Sequence, residues 1–224
     1  DTVWASKTGL YYNFDIGTAA DDDSIELIMS IGEVATIRHF VSNRDIHIFT
    51  AGSEFYIPTF ENEPITPTNA RVKRQTSFGS TFVRPQPFYG ATIFGQVGGK
   101  MIRQFVYDDS EQAYKADPIS LLSSHLISDP VQMCVISGAV NRVEGVAGWT
   151  RFETNGSFHS VTAIDSRVFA IVKTNLGSGT QSFVLTELNQ NVSLDLGNIY
   201  TGTAGVFTVS NFFENGAEVD VISS

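Results

Sequence analysis

The sequence is nearly without cysteine and has no long apolar run. Cys134 is the single cysteine of the 224 residues, so an intrachain disulfide is excluded, which argues against a small, disulfide-stapled secreted domain. The thiol lies in the apolar stretch VQMCVIS, where we expect it to be buried and unreactive. No stretch reaches the roughly 18 apolar residues of a membrane-spanning helix. The first ten residues lack a signal-peptide pattern and an initiator Met, so we expect the sequence to be part of a longer chain.

Charged residues are also scarce, and basic residues are scarcer than acidic ones. Asp, Glu, Lys and Arg make up 17% of the chain, with 14 Lys and Arg against 24 Asp and Glu, for a formal net charge of −10. Duplex DNA carries about one negative charge per 1.7 Å of its axis, so an acidic protein does not attract it through its overall charge. An acidic wall along which DNA slides without sticking remains compatible with this composition.

Aromatic and other hydrophobic residues are plentiful. Hydrophobic residues make up 42% of the chain and Phe alone occurs 17 times, which suffices for one large all-β domain or two small ones. Many Phe, Thr, Ser and Gly with little charge favour strands and turns, so we predict an all-β fold. One short helix is expected in DPISLLSSHLI, capped by Asp117, with Pro118 in its first turn. Its apolar face would point to the core through Ile119, Leu122 and Leu126.

Residues 91–108, ATIFGQVGGKMIRQFVYD, contain a GGK that invites comparison with a phosphate-binding loop. That loop needs a glycine at position 94 and a hydroxyl residue after the lysine, but the chain has Phe94 and Met101 there. The flanking residues are β-branched and aromatic. We therefore predict a β-hairpin with a two-residue turn at Gly98 and Gly99.

Similar hairpin patterns recur along the chain. An apolar strand, a turn containing Gly and a second apolar strand begin at Val3, Ile48 and Ile93, which are spaced by 45 residues. Further candidates begin at Val135 and Val168. A period near 45 with a hairpin in each unit is typical of β-propeller blades, which have about 40 to 50 residues and four strands. The alternative is an antiparallel sandwich, whose hairpins usually recur at about 8 to 12 residues.

These patterns predict a β-propeller-like array of blades, complete or not, over residues 1–175. Residues 176–224 would form the last blade or the start of a further β domain. The spacing is short near residues 138–146, where we expect either an incomplete blade or a missing loop. Further strands are predicted in DSIELIMS, in QSFVLTELN, on both sides of an Asn-Gly turn in GWTRFETNGSFHSVTAI, and in AGVFTVSNFFENGAEVDVIS, while EVATIRHFVS is ambiguous.

No residue pattern points to catalysis, to a cofactor or to a metal. None of the four histidines has the spacing of a metal site, so we expect His39, His47, His125 and His159 to be structural, with His125 packed or capping. Ser124, His125 and Asp129 have the residue types of a hydrolase triad without its geometry. The acidic run at residues 21–23 is expected to be a solvated loop or a cap. WASKTGLYY resembles the Asp-box turn of sialidase-type propellers but lacks the aspartate, so a carbohydrate-active propeller has no catalytic signature here.

Residues 69–84, NARVKRQTSFGSTFVR, concentrate positive charge. They carry Arg71, Lys73, Arg74 and Arg84 and contain no Asp or Glu. One interpretation is an exposed strand that its charges protect from edge pairing. The other is a docking strip for an acidic partner or a neighbouring subunit.

Seven short motifs follow one another in a fixed order, at residues 50–57, 65–67, 75–79, 98–103, 107–114, 117–126 and 148–149. They match a pattern of a T-x-G-x-E-x-x-I hairpin, I-T-P, Q-S-x-Y/F-G, a G-G-x-x-x-R hairpin, a tyrosine-rich segment, a short helix and G-W. In this order the motifs resemble the tail nozzle proteins, also called tail tubular protein B, of short-tailed, podovirus-type phages. The resemblance covers about residues 1–175 and departs near 138–146, where the family has another hairpin. The C-terminal FFENGAEVDVISS resembles the start of a further β domain.

The resemblance implies a structural subunit of the virion, assembled in the host cytoplasm, with no catalysis and no cofactor. Six copies would form a ring beside adaptor and fibre proteins of the tail, and the genome would pass through its lumen as cargo that does not stick. Arg71, Lys73, Arg74 and Arg84 would then face a neighbouring subunit or tail partner. The alternatives are a propeller-type carbohydrate-binding or glycoside-hydrolysing tail protein, and a different tail hub protein of the same architecture.

Overall fold

The structure is a computed structural model that describes residues 2–29, 36–59, 63–136, 148–154, 156–175 and 181–188. These residues form thirteen β-strands in four antiparallel sheets, with one short 3₁₀ helix, which confirms the all-β fold class. The chain divides into two compact units, Asp1–Met133 with Asn141–Thr150 and Cys134–Val140 with Arg151–Ser224. Within the described ranges, no helix is long and apolar enough to cross a bilayer.

The first unit contains a two-stranded sheet and two four-stranded sheets. In chain order its elements are β1 Thr2–Ala5, β2 Ile25–Ile28, β3 Ile37–Ser42, β4 Ile46–Thr50, β5 Glu54–Ile57, β6 Lys73–Thr76, β7 Gln86–Phe88, β8 Ala91–Gly95, β9 Ile102–Asp108, β10 Ala113–Pro118 and the 3₁₀ helix Leu121–Leu126. The strand orders are β1-β2, β3-β4-β5-β6 and β10-β9-β8-β7. Each four-stranded sheet is therefore an up-and-down meander in which every strand pairs with its neighbour in sequence.

The two meanders stack on one another in the same strand order. β3 lies against β7 at one side of the stack, and β6 lies against β10 at the other. In a β-propeller each blade is a four-stranded meander, and successive blades stack in this way. A closed ring of such sheets about one axis remains a prediction.

An aromatic core fills the space between the two meanders. Its buried members, which we call the inter-sheet core, are Val41, Phe49, Tyr56, Phe94, Phe105, Tyr114 and Ala116. The rings of Phe49 and Phe94 have centroids 4.9 Å apart, and Phe105 stacks on Tyr114 at 4.7 Å with an interplanar angle of 12°. Aromatic pairs of this kind contribute about 0.5–1.5 kcal/mol each beyond the burial of their area.

The β3–β6 sheet is buried on its second face as well. Ile48, Phe55 and Ile57 on that face pack with Met29 and with partly buried side chains of β1 and β2. Burial on both faces explains why the central strands β4 and β5 read as nearly continuous apolar runs, because neither face of these strands needs to be polar.

Residues 76–81, which we call the crossing segment, comprise the end of β6 and the first part of the connection to β7, and they bond to both meanders. The Ser80 amide donates to the Thr50 carbonyl at 2.8 Å, which ties the segment to the β4–β5 turn. The Gly79 carbonyl accepts from the Val97 amide at 2.9 Å, which ties it to the β8–β9 connection. The crossing segment therefore links the turns of two successive sheets.

The hairpin predicted at residues 91–108 is confirmed, but its turn is longer than two residues. β8 and β9 are joined by residues 96–101, and the Gln96 amide donates to the Met101 carbonyl at 2.9 Å. Gly98 and Gly99 have φ values of 93° and 66°, a backbone region that favours glycine. The prediction based on the paired glycines therefore places the turn correctly but makes it too short.

The hairpin predicted from Val3 is wrong in its second strand. β1 pairs with β2, which lies in the predicted strand DSIELIMS, and not with the apolar residues that follow Gly9. Across the turn at Thr8 and Gly9, Lys7 and Leu10 form only an isolated bridge. The stretch EVATIRHFVS, which the sequence left ambiguous, contains the strand β3.

The predicted helix is shorter than expected and does not face the core. Asp117 and Pro118 belong to β10, because pairing with β9 continues to Pro118 opposite Arg103. The 3₁₀ helix begins after Ser120, which makes no side-chain capping bond, and Leu122 is 92% exposed. Tertiary strand pairing thus overrides the local helix signals.

In the second unit, β11 Ser157–Ile164, β12 Arg167–Asn175 and β13 Gln181–Leu188 form one antiparallel sheet in that order. The strand predicted in QSFVLTELN is confirmed as β13, and it pairs with β12. Residues 151–154, predicted as a strand, have no regular structure. Asn155, most of the stretch from Val135 to residue 147, and residues 189–224 lie outside the described residues, so the predictions made there stay predictions.

We expect Gly79→Ala to destabilise the first unit strongly. Gly79 has a φ of 67°, and a β-carbon there would overlap the Ala51 carbonyl oxygen. The left-handed backbone costs an L-residue about 1–2 kcal/mol, and the overlap adds to that cost. Urea denaturation should show a loss of more than about 2 kcal/mol in the free energy of unfolding. Gly90→Ala is the matched control, since Gly90 has a φ of 77° with no atom near its β-carbon position. Equal losses in the two variants would contradict the role of the crossing segment.

Candidate partner interface

Three of the four predicted interface residues lie together at one edge of the β3–β6 sheet. Lys73 and Arg74 belong to the edge strand β6 and Arg71 precedes it, and all three side chains are exposed. Arg71 donates to the Ala70 carbonyl at 2.7 Å, and Arg74 donates to the Ser77 hydroxyl at 2.6 Å. Within the described part of the chain, none of the three forms an ion pair with a carboxylate. We call Arg71, Lys73 and Arg74 the basic edge.

Arg84 lies at the opposite side of the stack. It precedes β7, the edge strand that lies against β3, and its charge acts on His39 of β3. Burial lowers the pKa of His39, and the positive charges of Arg38 and Arg84 lower it further. Three inter-strand spacings of about 4.8 Å separate the two edges of a four-stranded sheet, or roughly 14 Å. The predicted strip is therefore divided into the basic edge and a separate arginine.

The basic edge suits contacts through side chains better than extension of the sheet. Charged side chains on an edge strand oppose pairing with another strand. Guanidinium groups form paired hydrogen bonds with carboxylates and stack on aromatic rings. Lys73 already lies 5.9 Å from the centroid of the Tyr56 ring, although Tyr56 itself is buried. The chemistry of this edge thus favours an acidic or aromatic partner.

A second surface feature is the loop of residues 6–24 between β1 and β2, which the sequence predicted as part of a hairpin. It exposes large apolar and aromatic side chains, with Tyr11 78% and Tyr12 97% exposed. Leu10, Phe14 and Ile16 on the same loop are also exposed. We call residues 6–24 the aromatic loop.

The aromatic loop is held in one shape by the carboxylate of Asp23. This carboxylate forms an ion pair with Lys7 at 2.8 Å and accepts hydrogen bonds from the amides of Thr18 at 3.1 Å and Ala20 at 2.9 Å. The bond from Lys7 lowers the pKa of Asp23. Within the predicted acidic run, Asp23 therefore organises the loop, whereas Asp21 and Asp22 are exposed to solvent. A loop with this much internal bonding presents its aromatic rings at a reduced entropic cost on binding.

A buried polar cluster lies in the inter-sheet core around His47. The ring Nδ1 of His47 lies 3.0 Å from the Thr92 hydroxyl, and its Nε2 has no hydrogen-bond partner. The rings of Phe105 and Tyr114 lie nearly perpendicular to the His47 ring. The Tyr114 hydroxyl donates to the Asp45 carboxylate at 2.6 Å. Burial lowers the pKa of His47 to about 4 and raises the pKa of Tyr114. Because His47 has no exposed surface, the cluster has a structural role.

Two further histidines that were predicted to be structural are exposed. His125 is exposed on the 3₁₀ helix, so it neither packs nor caps, and His159 is exposed on β11 with its ring 5.1 Å from that of Phe183. Among the described residues, no three or more His, Cys, Asp or Glu side chains come together as a metal site would require. Cys134 is half-buried, and burial raises the pKa of its thiol.

Comparison of the chain with models of known protein families gives no match, and comparison with curated protein sequences gives none either.

We expect the stability of the first unit to fall on mild acidification because of His47. The folded-state pKa of His47 is about 4, below the unfolded value of about 6.5, so the unfolded chain binds the proton more tightly. The free energy of unfolding should therefore decrease as the pH falls from about 6.5 to about 4, by a few kcal/mol. Urea denaturation of His47→Leu should show a shallower pH dependence in this window. His125→Leu, which changes an exposed histidine, should keep the steeper one. An unchanged slope in His47→Leu would disprove the assignment.

Proposed function

We propose that this chain is a structural subunit of a phage tail nozzle, in which six copies form a ring that the genome crosses on ejection, without catalysis. The observation that carries the proposal is the stack of two successive four-stranded meanders, whose hairpins recur at the spacing seen in the sequence. Each meander offers edges and loops for assembly, as subunits of an extended tube require.

The motifs that resemble the nozzle family occupy positions that hold neighbouring sheets together. The hairpin motif at 50–57 contains the buried Glu54, and the motif at 75–79 includes Gly79 of the crossing segment. The G-W motif contributes Trp149, whose ring nitrogen donates to the Ile119 carbonyl at 3.0 Å. In this chain these motifs therefore supply structural contacts, which favours an architectural role over a chemical one.

Three ionisable groups whose pKa values are shifted by burial also serve structure. His47 and Tyr114 lie within the inter-sheet core, and Glu54 is buried beside the crossing segment. The basic edge and the aromatic loop, in contrast, are exposed and are suited to protein contacts. This distribution supports an assembly role for the chain.

The direct test is the mass and symmetry of the purified full chain. We expect electron microscopy and analytical ultracentrifugation to show a six-fold ring with an open centre, because subunits joined through two different patches form closed rings when the rotation closes. Mixing the chain with other tail components is unnecessary for this readout. A chain that remains monomeric at every concentration reached would refute the proposal.

The acidic composition leads to a second expectation for the assembled ring. With a net charge of −10 per subunit, the wall facing the lumen should be net negative, so that DNA passes without adhering. Linear duplex DNA should not be retained by immobilised rings at about 0.15 M salt. Retention that decreases steeply with added salt would show a cationic channel and contradict this part of the proposal.

A propeller-type carbohydrate-binding or glycoside-hydrolysing tail protein is the second candidate. It is favoured by the exposed Tyr11 and Tyr12, since flat aromatic rings also stack on sugars. Glycoside hydrolysis would further require two carboxyl groups about 5–9.5 Å apart across a cleft. A glycan-release assay and glycan binding by the full chain separate the candidates, because a nozzle subunit should give neither signal.

A further inference from the structure

We propose that the aromatic loop of one subunit docks against the basic edge of the next subunit. This inference rests on the proposed function, because it names the contact by which copies of the chain join into a ring. The partner is therefore a second copy of this chain, and the two docking surfaces are residues 6–24 and the residues Arg71, Lys73 and Arg74.

The aromatic loop has the composition and the order of a contact surface. Tyr11 and Tyr12 project from a loop that Asp23 and Lys7 hold together, and neither tyrosine packs into a core of the first unit. Tyrosine is enriched among the residues that dominate binding energy, since it supplies a large rigid contact area with a polar tip. Large apolar side chains grouped on one loop are also a common sign of an interaction site.

The two surfaces complement each other in charge. The loop exposes Asp21 and Asp22, and neither carboxylate forms an ion pair among the described residues. The basic edge lies in a segment, residues 69–84, that contains no Asp or Glu. Arginine and lysine can pair with the loop carboxylates and also stack on its tyrosine rings. Each surface thus offers what the other lacks.

Within one copy, the two surfaces do not satisfy each other. In the described residues, the ion pairs of the loop involve only Lys7, Asp15 and Asp23, and the hydrogen bonds of the basic edge remain local. Their charges are therefore available to another molecule. A second copy of the chain carries both a loop and an edge, whereas an unrelated acidic partner would satisfy the basic edge alone.

Contact between two different patches has a consequence for symmetry. When a contact joins the loop of one subunit to the edge of the next and leaves the other loop and edge free, the contact is head-to-tail, and it generates a ring or an open filament. A two-fold dimer would instead form both loop-to-edge contacts between the same two copies. The mass and symmetry of the assembly separate the two arrangements, and the proposed function requires the ring.

A charge-exchange experiment on the full chain tests this contact. The loop variant carries Asp21→Lys and Asp22→Lys, and the edge variant carries Lys73→Glu and Arg74→Glu. Each variant alone should need at least tenfold higher concentration than the wild type to form rings, because like charges meet at every contact. An equimolar mixture should assemble within about threefold of the wild type, since alternation of the two variants makes every contact complementary.

The mixture also controls for folding, because a misfolded variant cannot restore assembly. Lys100→Glu, which reverses an exposed lysine on the β8–β9 connection, should leave assembly unchanged. Tyr11→Ala with Tyr12→Ala should weaken assembly without altering its salt dependence. If the milder Asp21→Asn with Asp22→Asn and both reversed variants assemble like the wild type, the inference is overturned while the ring survives. A mixture that fails although both variants fold, judged by circular dichroism, also overturns it. A wild type that forms no ring refutes the proposed function itself.

Discussion

The packing of the two meanders depends on the buried carboxylate of Glu54. It accepts hydrogen bonds from the Thr76 hydroxyl at 2.5 Å and from the Phe78 amide at 3.2 Å, and both donors begin the crossing segment. Burial raises the pKa of Glu54, while these bonds and the charge of Arg103 oppose the rise. A buried carboxylate without such partners costs several kcal/mol, so the sheet tolerates Glu54 only if the crossing segment lies where it does. One polar residue thereby fixes the direction in which the chain leaves one sheet for the next.

This constraint explains which parts of the fold could be predicted from the sequence. Hairpins with a short connection, such as β8–β9, follow from local patterns, since both strands and the turn lie within one window. The pairing of β1 with β2 crosses the whole loop of residues 6–24, and no local pattern encodes it. At Asp117 and Pro118 the local signals favour a helix, but pairing with β9 contributes more than a cap. The missed features are therefore those decided by distant parts of the chain.

The candidate interface shows the same division between local and distant information. The sequence identifies Arg71, Lys73 and Arg74 correctly as exposed, because a basic run without acids rarely lies in a core. It could not separate Arg84 from them, since only the crossing segment carries the chain to the opposite edge. The tyrosines of the aromatic loop were predicted to form a strand, because adjacent apolar residues after a glycine look alike in a strand and in an exposed loop.

The outer face of the β1–β2 sheet leaves apolar side chains exposed at the end of the stack. Val3 and Leu27 point into the core, whereas Trp4 and Ile28 on the other face are 46% and 68% exposed. A stack of sheets always ends in a face of this kind, because each sheet covers only its neighbours. If the stack closes into a propeller, another sheet of the same chain covers this exposed face. If copies of the chain join, a second copy covers it. Under the proposed function, the same stacking that builds one copy of the chain would also direct its association with other copies.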